Sequence, residues 1–201
     1  MQPEHTDIGY LLFKYRSYTP IPFLIIMVVF ARPTLESLVI GCAVVLTGEA
    51  IRFWGVSIAG SETRYTGAMG GSSLITTGPF GYVRNPLYIG NMLLYVGVGV
   101  MSMALFPWLI IAACVWFFIQ YTLIVRREEE HLAGEFGDEY EEYKRHVRRF
   151  MPRMSRYSGG TPSQKTVDVK KGIASERRTF QAISLVTLLI VVMYVVRGGQ
   201  G

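Results

Sequence analysis

Apolar residues in this chain are gathered into long runs instead of being spread through it. Five runs stand out. The first covers about residues 10–31, with its apolar heart at 23–30 and with Lys14 and Arg16 near its start, where long basic side chains can snorkel to an interface. After a short turn at Arg32, Pro33 and Thr34, the second covers about residues 35–59. A polar, Gly-rich loop over residues 60–86 leads to the third, about 87–103. A tight turn at Phe106 and Pro107 joins it to the fourth, about 108–125, so these two read as a helical hairpin. The fifth, residues 180–196, carries no charge. A helix needs roughly 20 mainly apolar residues to span a bilayer, so the pattern predicts an all-α, polytopic membrane bundle of about five transmembrane helices. Residues 1–157 would be its core, 158–179 a cytoplasmic linker and 180–201 a C-terminal transmembrane helix. No internal repeat is visible.

Composition agrees with the runs. Half of the 201 residues are hydrophobic and only 17% are charged, whereas a soluble domain carries about 25% charged residues. The mean hydropathy is +0.30. The net charge of +5 would suit nucleic acid, but its distribution suits membrane topology. With five spans, 17 of the 20 Lys/Arg fall on one side, Arg32 and Arg197 fall on the other, and Arg52 lies within a span. The positive-inside rule then puts the N-terminus, the 60–86 loop and the charged stretch after Val125 in the cytoplasm, and no nucleic-acid partner is expected. Residues 1–7 are polar and include Glu4 and Asp7. That is unlike a cleaved signal peptide, so the first run is expected to be retained. Cys42 and Cys114 each sit inside an apolar run and are expected to be free, buried packing residues.

Two segments carry chemistry. In the first, residues 78–90, glycine and proline turn the backbone sharply into the third run. Pro86 fits a first helical turn, where its missing N–H costs little. Arg84 and Asn85 then sit beside a helix N-terminus, which attracts negative groups. The plain alternative is a capped helix start with a snorkelling arginine. The second segment starts at Arg126 and is densely charged. Leu132, Phe136, Tyr140, Tyr143 and Val147 recur at helical spacing. Gly137 is a breaking point, with Asp138 and Glu141 able to form a capping box beyond it. An amphipathic helix on lipid headgroups is the plain reading. Glu128, Glu129 and Glu130 oppose it, because carboxylates are repelled by an anionic leaflet; a cationic ligand group gives them another purpose.

Together the two segments resemble the isoprenylcysteine carboxyl methyltransferase and phospholipid methyltransferase family. The resemblance rests on Arg84-Asn85-Pro86-Leu87-Tyr88 at the start of one span. After a hairpin it continues through Glu128-Glu129, Leu132, Phe136-Gly137, Glu139-Tyr140, Tyr143-Lys144, Val147 and Pro152. It covers about residues 76–152. It implies S-adenosylmethionine as methyl donor, a cytoplasm-facing cofactor pocket and a lipid-side substrate entrance. Tyr82, Arg84, Asn85, Pro86 and Tyr88 would line the cofactor pocket from one side, and Glu128, Glu129, Leu132, Tyr140 and Tyr143 from the other. Arg84, Asn85, Glu129 and Arg52 are the catalytic candidates. Prenylcysteine enzymes usually have His at the position of Asn85, whereas phospholipid methyltransferases and many bacterial relatives can have Asn. The expected acceptor is a lipophilic or prenylated molecule, foremost an isoprenylcysteine-like carboxylate, with a phospholipid amine or a small thiol as alternatives.

Glu49 and Arg52 are the charges inside a run, and such residues are functional candidates by default. Their plain reading is an internal ion pair; their functional one is Arg52 contacting an acceptor carboxylate. His5 and His146 read as solvated, and His131 adjoins the acidic run. No His/Cys spacing suggests a metal. Gly97-Val98-Gly99 reads as a close helix-packing point. Two other classes compete: an NADPH-dependent membrane reductase of the sterol type, and a non-catalytic membrane adaptor docking on lipid through its basic stretch.

Overall fold

The computed structural model describes residues 8–60, 74–159 and 167–197. Glu4, His5 and Asp7, named above, lie outside them. Among the described residues there are six α-helices and no strand: α1 (Ile8–Tyr15), α2 (Ile21–Val29), α3 (Leu35–Ala59), α4 (Pro86–Ser102), α5 (Trp108–His146) and α6 (Val169–Val196). Three of them, α3, α5 and α6, are long and apolar enough to cross a membrane, and α4 is a shorter apolar helix. At 1.5 Å per residue, the 25 residues of α3 reach about 37 Å, against a hydrocarbon core of about 30 Å.

The first apolar run is not one helix. It divides into α1, of 8 residues, and α2, of 9, too short individually to span. The cause is Pro20, which disfavours helix at the residue before it. The intervening turn closes on itself: Tyr18 N donates to Tyr15 O at 2.9 Å and Thr19 Oγ1 to Arg16 O at 3.1 Å. The other apolar runs become helices nearly as their patterns predict. Helix α3 opens with a reciprocal cap, Thr34 N donating to Ser37 Oγ at 2.9 Å and Ser37 N to Thr34 Oγ1 at 3.1 Å. Helix α6 starts at Val169, well before the uncharged run. Asp168 Oδ1 accepts from Lys171 N there at 3.0 Å, and that backbone hydrogen bond holds the Asp168 carboxyl below its ordinary value.

The chain forms two compact units. One is built from the described parts of residues 1–47, 92–128 and 181–201. Its aromatic centre is Phe117, stacked on Tyr95 at 4.0 Å and flanked by Phe23 and Tyr121. A Cβ on Gly97 would meet Val45 Cγ2 at 2.6 Å and the Gly41 carbonyl oxygen at 2.8 Å. The Gly97-Val98-Gly99 stretch is therefore a place where α4 approaches α3 closely. Both cysteines are free, but Cys42 is exposed, contrary to the expected burial, and Cys114 is half-buried. The buried neighbours of Cys42 are Gly41 and Val45, so it occupies the outward side of α3.

The second unit takes residues 48–91 and 129–180. It contains the first chemistry-bearing segment and the second from Glu129 onward. Gly172 lets α6 lie against α3, since a Cβ there would meet Phe53 Cε2 at 3.0 Å and the Ser57 hydroxyl more closely still. Asp168 N also donates to Ser57 O at 2.7 Å.

Candidate functional site

The 78–85 turn and the chain after α5 are joined by a series of main-chain hydrogen bonds. Arg84 N donates to Arg148 O at 3.0 Å, Arg153 N to Tyr82 O at 2.9 Å and Tyr157 N to Gly81 O at 2.9 Å. Side chains add to it: Tyr143 Oη donates to Phe80 O at 2.7 Å and Asn85 Nδ2 to Arg149 O at 3.2 Å. The turn itself is a single 3-10 turn over Gly78–Gly81, and α4 begins at Pro86. Gly78 has φ +60°, and a Cβ there would run into Ile58, so glycine is required on both conformational and packing grounds.

Helix α5 reaches its partner surface by bending. Gly137 has φ 51° and ψ −124° inside the helix, a combination open only to glycine. Beyond the bend, Tyr140, Tyr143 and Val147 form a buried cluster with Tyr157, and Leu132, Ala133 and Phe136 pack against it. Of the five residues expected on one helical face, three are in this cluster, and Leu132 and Phe136 pack against it. Burial pushes the Tyr157 hydroxyl above its ordinary range, assisted by the charges of Glu142 and Glu139.

At the junction of the two segments is an ion group. Arg84 Nη2 lies 3.0 Å from Glu129 Oε1, and each side chain is only 9% exposed. Arg149 grips the same carboxylate as a fork: its Nε donates to Oε1 at 3.0 Å and its Nη2 to Oε2 at 2.5 Å. Hydrogen bonding to Glu129 raises the Arg149 pKa further above neutrality, so its charge is permanent. Two guanidiniums face one carboxylate, and Arg84 Nε and Nη1 are buried without a hydrogen-bond partner. Unpaired buried donors of this kind cost about 1–3 kcal/mol and mark a place where an anionic group fits.

Of the residues singled out by sequence, Arg84, Asn85, Glu129, Leu132, Tyr140 and Tyr143 therefore meet in one region. Tyr82 contributes its carbonyl there and packs its ring 6.2 Å from Trp54. Pro86 is fully buried and Tyr88 half-buried in the first turn of α4. Glu128, next to Glu129 on α5, falls in the other unit. Arg149 was not foreseen. It lies in a basic stretch that reads as solvated, and only its position opposite Glu129 distinguishes it from Arg145 or Arg148. His131 is exposed and lies 3.4 Å from Glu135, and His146 is exposed beside Glu142.

Arg52 belongs to a different group. Its Nη2 donates to Glu176 Oε1 and Oε2 at 2.8 and 2.7 Å and to Thr179 Oγ1 at 3.3 Å, and its Nη1 donates to Asn91 Oδ1. Glu49, its expected partner, is 3.9 Å from Nε. Glu176, missed by sequence reading, lies on α6, within the 158–179 stretch expected to be a linker. Its only signal was that a buried arginine demands a carboxylate. No group of three or more His, Cys, Asp or Glu suited to a metal is present among the described residues.

Comparison with known proteins gives the same family. The phospholipid methyltransferase profile matches residues 37–139. The cobalt-zinc-cadmium resistance protein CzcN of Cupriavidus metallidurans is 36% identical over 88 residues, which are 44% of this chain and 39% of that protein. The nickel-cobalt-cadmium resistance protein NccN of Alcaligenes xylosoxydans xylosoxydans is 34% identical over 84 residues, 42% of this chain and 38% of that one. The protein-S-isoprenylcysteine O-methyltransferase of Schizosaccharomyces pombe is 31% identical over 74 residues, 37% of this chain and 30% of the relative. The chain thus spans well under half the length of these relatives. No solved structure matches it. The chain is a membrane protein belonging to the phospholipid methyltransferase family.

Proposed function

Taking that family membership as premise, we propose that the chain is a multi-pass membrane methyltransferase. It uses S-adenosylmethionine and acts on a lipophilic acceptor, with its site facing the cytoplasm. The observation that carries this reading is Arg84, whose buried guanidinium keeps two partnerless N–H donors beside Glu129, where the 78–85 turn meets the chain after α5. The donor set fits the methionine carboxylate of such a cofactor, and the excess positive charge of the Arg84–Glu129–Arg149 group favours it.

S-adenosylmethionine supplies, when bound, a methyl group activated by a sulfonium. Methyl transfer is an in-line displacement, and the protein's share is alignment and exclusion of water, worth roughly 7–11 kcal/mol. Arg84 holds the carboxylate end. Glu129 and Arg149 fix the Arg84 side chain. Tyr140, Tyr143 and Leu132 wall the region from α5, while Asn85 pins the turn to Arg149. A carboxylate acceptor needs no general base, whereas an amine or thiol must lose a proton. The sequence resemblance favours an isoprenylcysteine-like carboxylate; the residue expected to receive it, Arg52, already faces Glu176.

Calorimetric titration of S-adenosylmethionine into the purified, detergent-solubilised chain tests the reading. Binding should be saturable, and Arg84→Lys, which keeps the charge but removes the fork, should weaken it at least tenfold. Radiolabelled methyl transfer into extracted lipids should accompany it. Absence of binding by the folded wild-type chain, or NADPH binding in its place, overturns the proposal.

A further inference from the structure

We propose that the strap of residues 148–156 is a docking surface for an anionic bilayer leaflet. The surface requires a membrane protein but not the methyl-transfer reading. The strap follows α5 and is tied by its main chain: Arg148 O accepts from Arg84 N, Arg153 N donates to Tyr82 O and Tyr157 N to Gly81 O. Between these ties Met151 is 61% exposed and Met154 is fully exposed. Arg148 and Arg156 are exposed as well, and Arg153 is half-buried. No acidic residue occurs between Glu142 and Asp168. The carboxylates just before the strap are already matched, Glu141 with Lys144 and Glu142 with Arg145, while Arg149 is held by Glu129. Arg148, Arg153 and Arg156 therefore give the strap an excess of positive charge.

The depth of the strap follows from the elements that hold it. Arg84 stands just before Pro86, where the apolar helix α4 begins. Tyr82 packs its ring 6.2 Å from Trp54, which is 42% exposed. Tryptophan and tyrosine concentrate at the level of the lipid headgroups. Trp54 also lies about 28 Å along α3 from Leu35 at 1.5 Å per residue, close to the roughly 30 Å of a hydrocarbon core. A surface at that depth meets phosphates and the first acyl carbons together. Arginine offers phosphate a fork of donors, and unbranched methionine side chains suit the irregular acyl boundary. Basic residues beside a leaflet are drawn to it when its lipids are anionic. An acidic protein would engage the arginines, but it would not account for the headgroup depth or for Met154.

The experiment places the full chain in lipid nanodiscs with no methyl donor. One set is phosphatidylcholine alone, and the other is an equimolar mixture of phosphatidylcholine and phosphatidylglycerol. Hydroxyl radicals made in the water label exposed methionines, and mass spectrometry reads the oxidation of Met151 and Met154. Both should be labelled at least fivefold more slowly in the anionic discs, and high salt should remove the difference by screening. The double variant Arg148→Gln/Arg156→Gln, verified as folded by its thermal midpoint, should be labelled in anionic discs as fast as the wild type is in neutral ones. Equal labelling of the wild type in the two bilayers, the result expected of a water-facing loop or of a surface kept for a protein partner, overturns the proposal. That comparison requires no variant. Protection that persists in the folded double variant overturns it as well.

Discussion

The two buried ion groups are near mirror images in charge. Arg84, Glu129 and Arg149 set two guanidiniums on one carboxylate, and the unpaired atoms are donors on Arg84. Glu49, Arg52 and Glu176 set two carboxylates on one guanidinium, and the unpaired atoms include both acceptor oxygens of Glu49. In each, one pair is closely matched and one group keeps atoms without a hydrogen-bond partner. Buried ion pairs are weak evidence for stability, because desolvation offsets much of the attraction. The informative atoms are therefore the unpaired ones: donors alone in the first group, and in the second the two Glu49 acceptors together with one donor, Arg52 Nε.

The contrast can be broken most forcefully at Glu129. Glu129→Ala leaves two guanidiniums without their carboxylate and should destabilise the chain by about 3 kcal/mol, read as a lowered thermal midpoint in detergent. A cost as small as that of a surface pair would mean that charge does not hold this group. Gly90→Ala attacks the other side of the comparison. Its Cβ would fall 2.8 Å from the Gly48 carbonyl oxygen and against the Arg52 side chain, an overpacking worth about 2 kcal/mol. It should lower the thermal midpoint in detergent while leaving S-adenosylmethionine binding within about twofold of wild type, since Arg84 and Glu129 are not among the contacts it disturbs. A thermal scan beside calorimetry with S-adenosylmethionine separates these effects, and loss of cofactor binding in the folded variant would erase the distinction between the groups.

Gly137→Ala sharpens the comparison by testing the bend alone. A side chain at φ 51° costs about 1–2 kcal/mol, and straightening α5 would draw Tyr143 from Phe80. Cofactor affinity and thermal midpoint should both fall. The smallest effect belongs to the exposed Lys144–Glu141 pair, 3.1 Å apart. Glu141→Gln should change stability by less than about 0.5 kcal/mol, a baseline against which the buried groups are measured by the same thermal scan.

The sequence reads well wherever one helix decides the outcome. Hydrophobic runs place α3, the apolar part of α5 and the apolar part of α6, because a helix satisfies its own backbone and a bilayer needs only length and apolarity. The spacing of Leu132, Phe136, Tyr140, Tyr143 and Val147 also identifies a buried face, and Gly137 its bend. The same reasoning fails at the first run: its hydrophobicity suggests one span, but Pro20 overrides it locally. Glu129 and Arg84 are legible as a pair of charged candidates, but their direct contact is not.

What the sequence determined by itself is therefore the set of helices and the residue types able to do chemistry, since periodicity and composition are properties of neighbouring positions. Which charges meet was decided only in three dimensions. Arg149 joins Glu129 from 20 residues away and Glu176 joins Arg52 from 124 residues away. No local pattern encodes such pairings. They arise because a charge taken out of water must find its partner in whichever helix or chain segment packs against it.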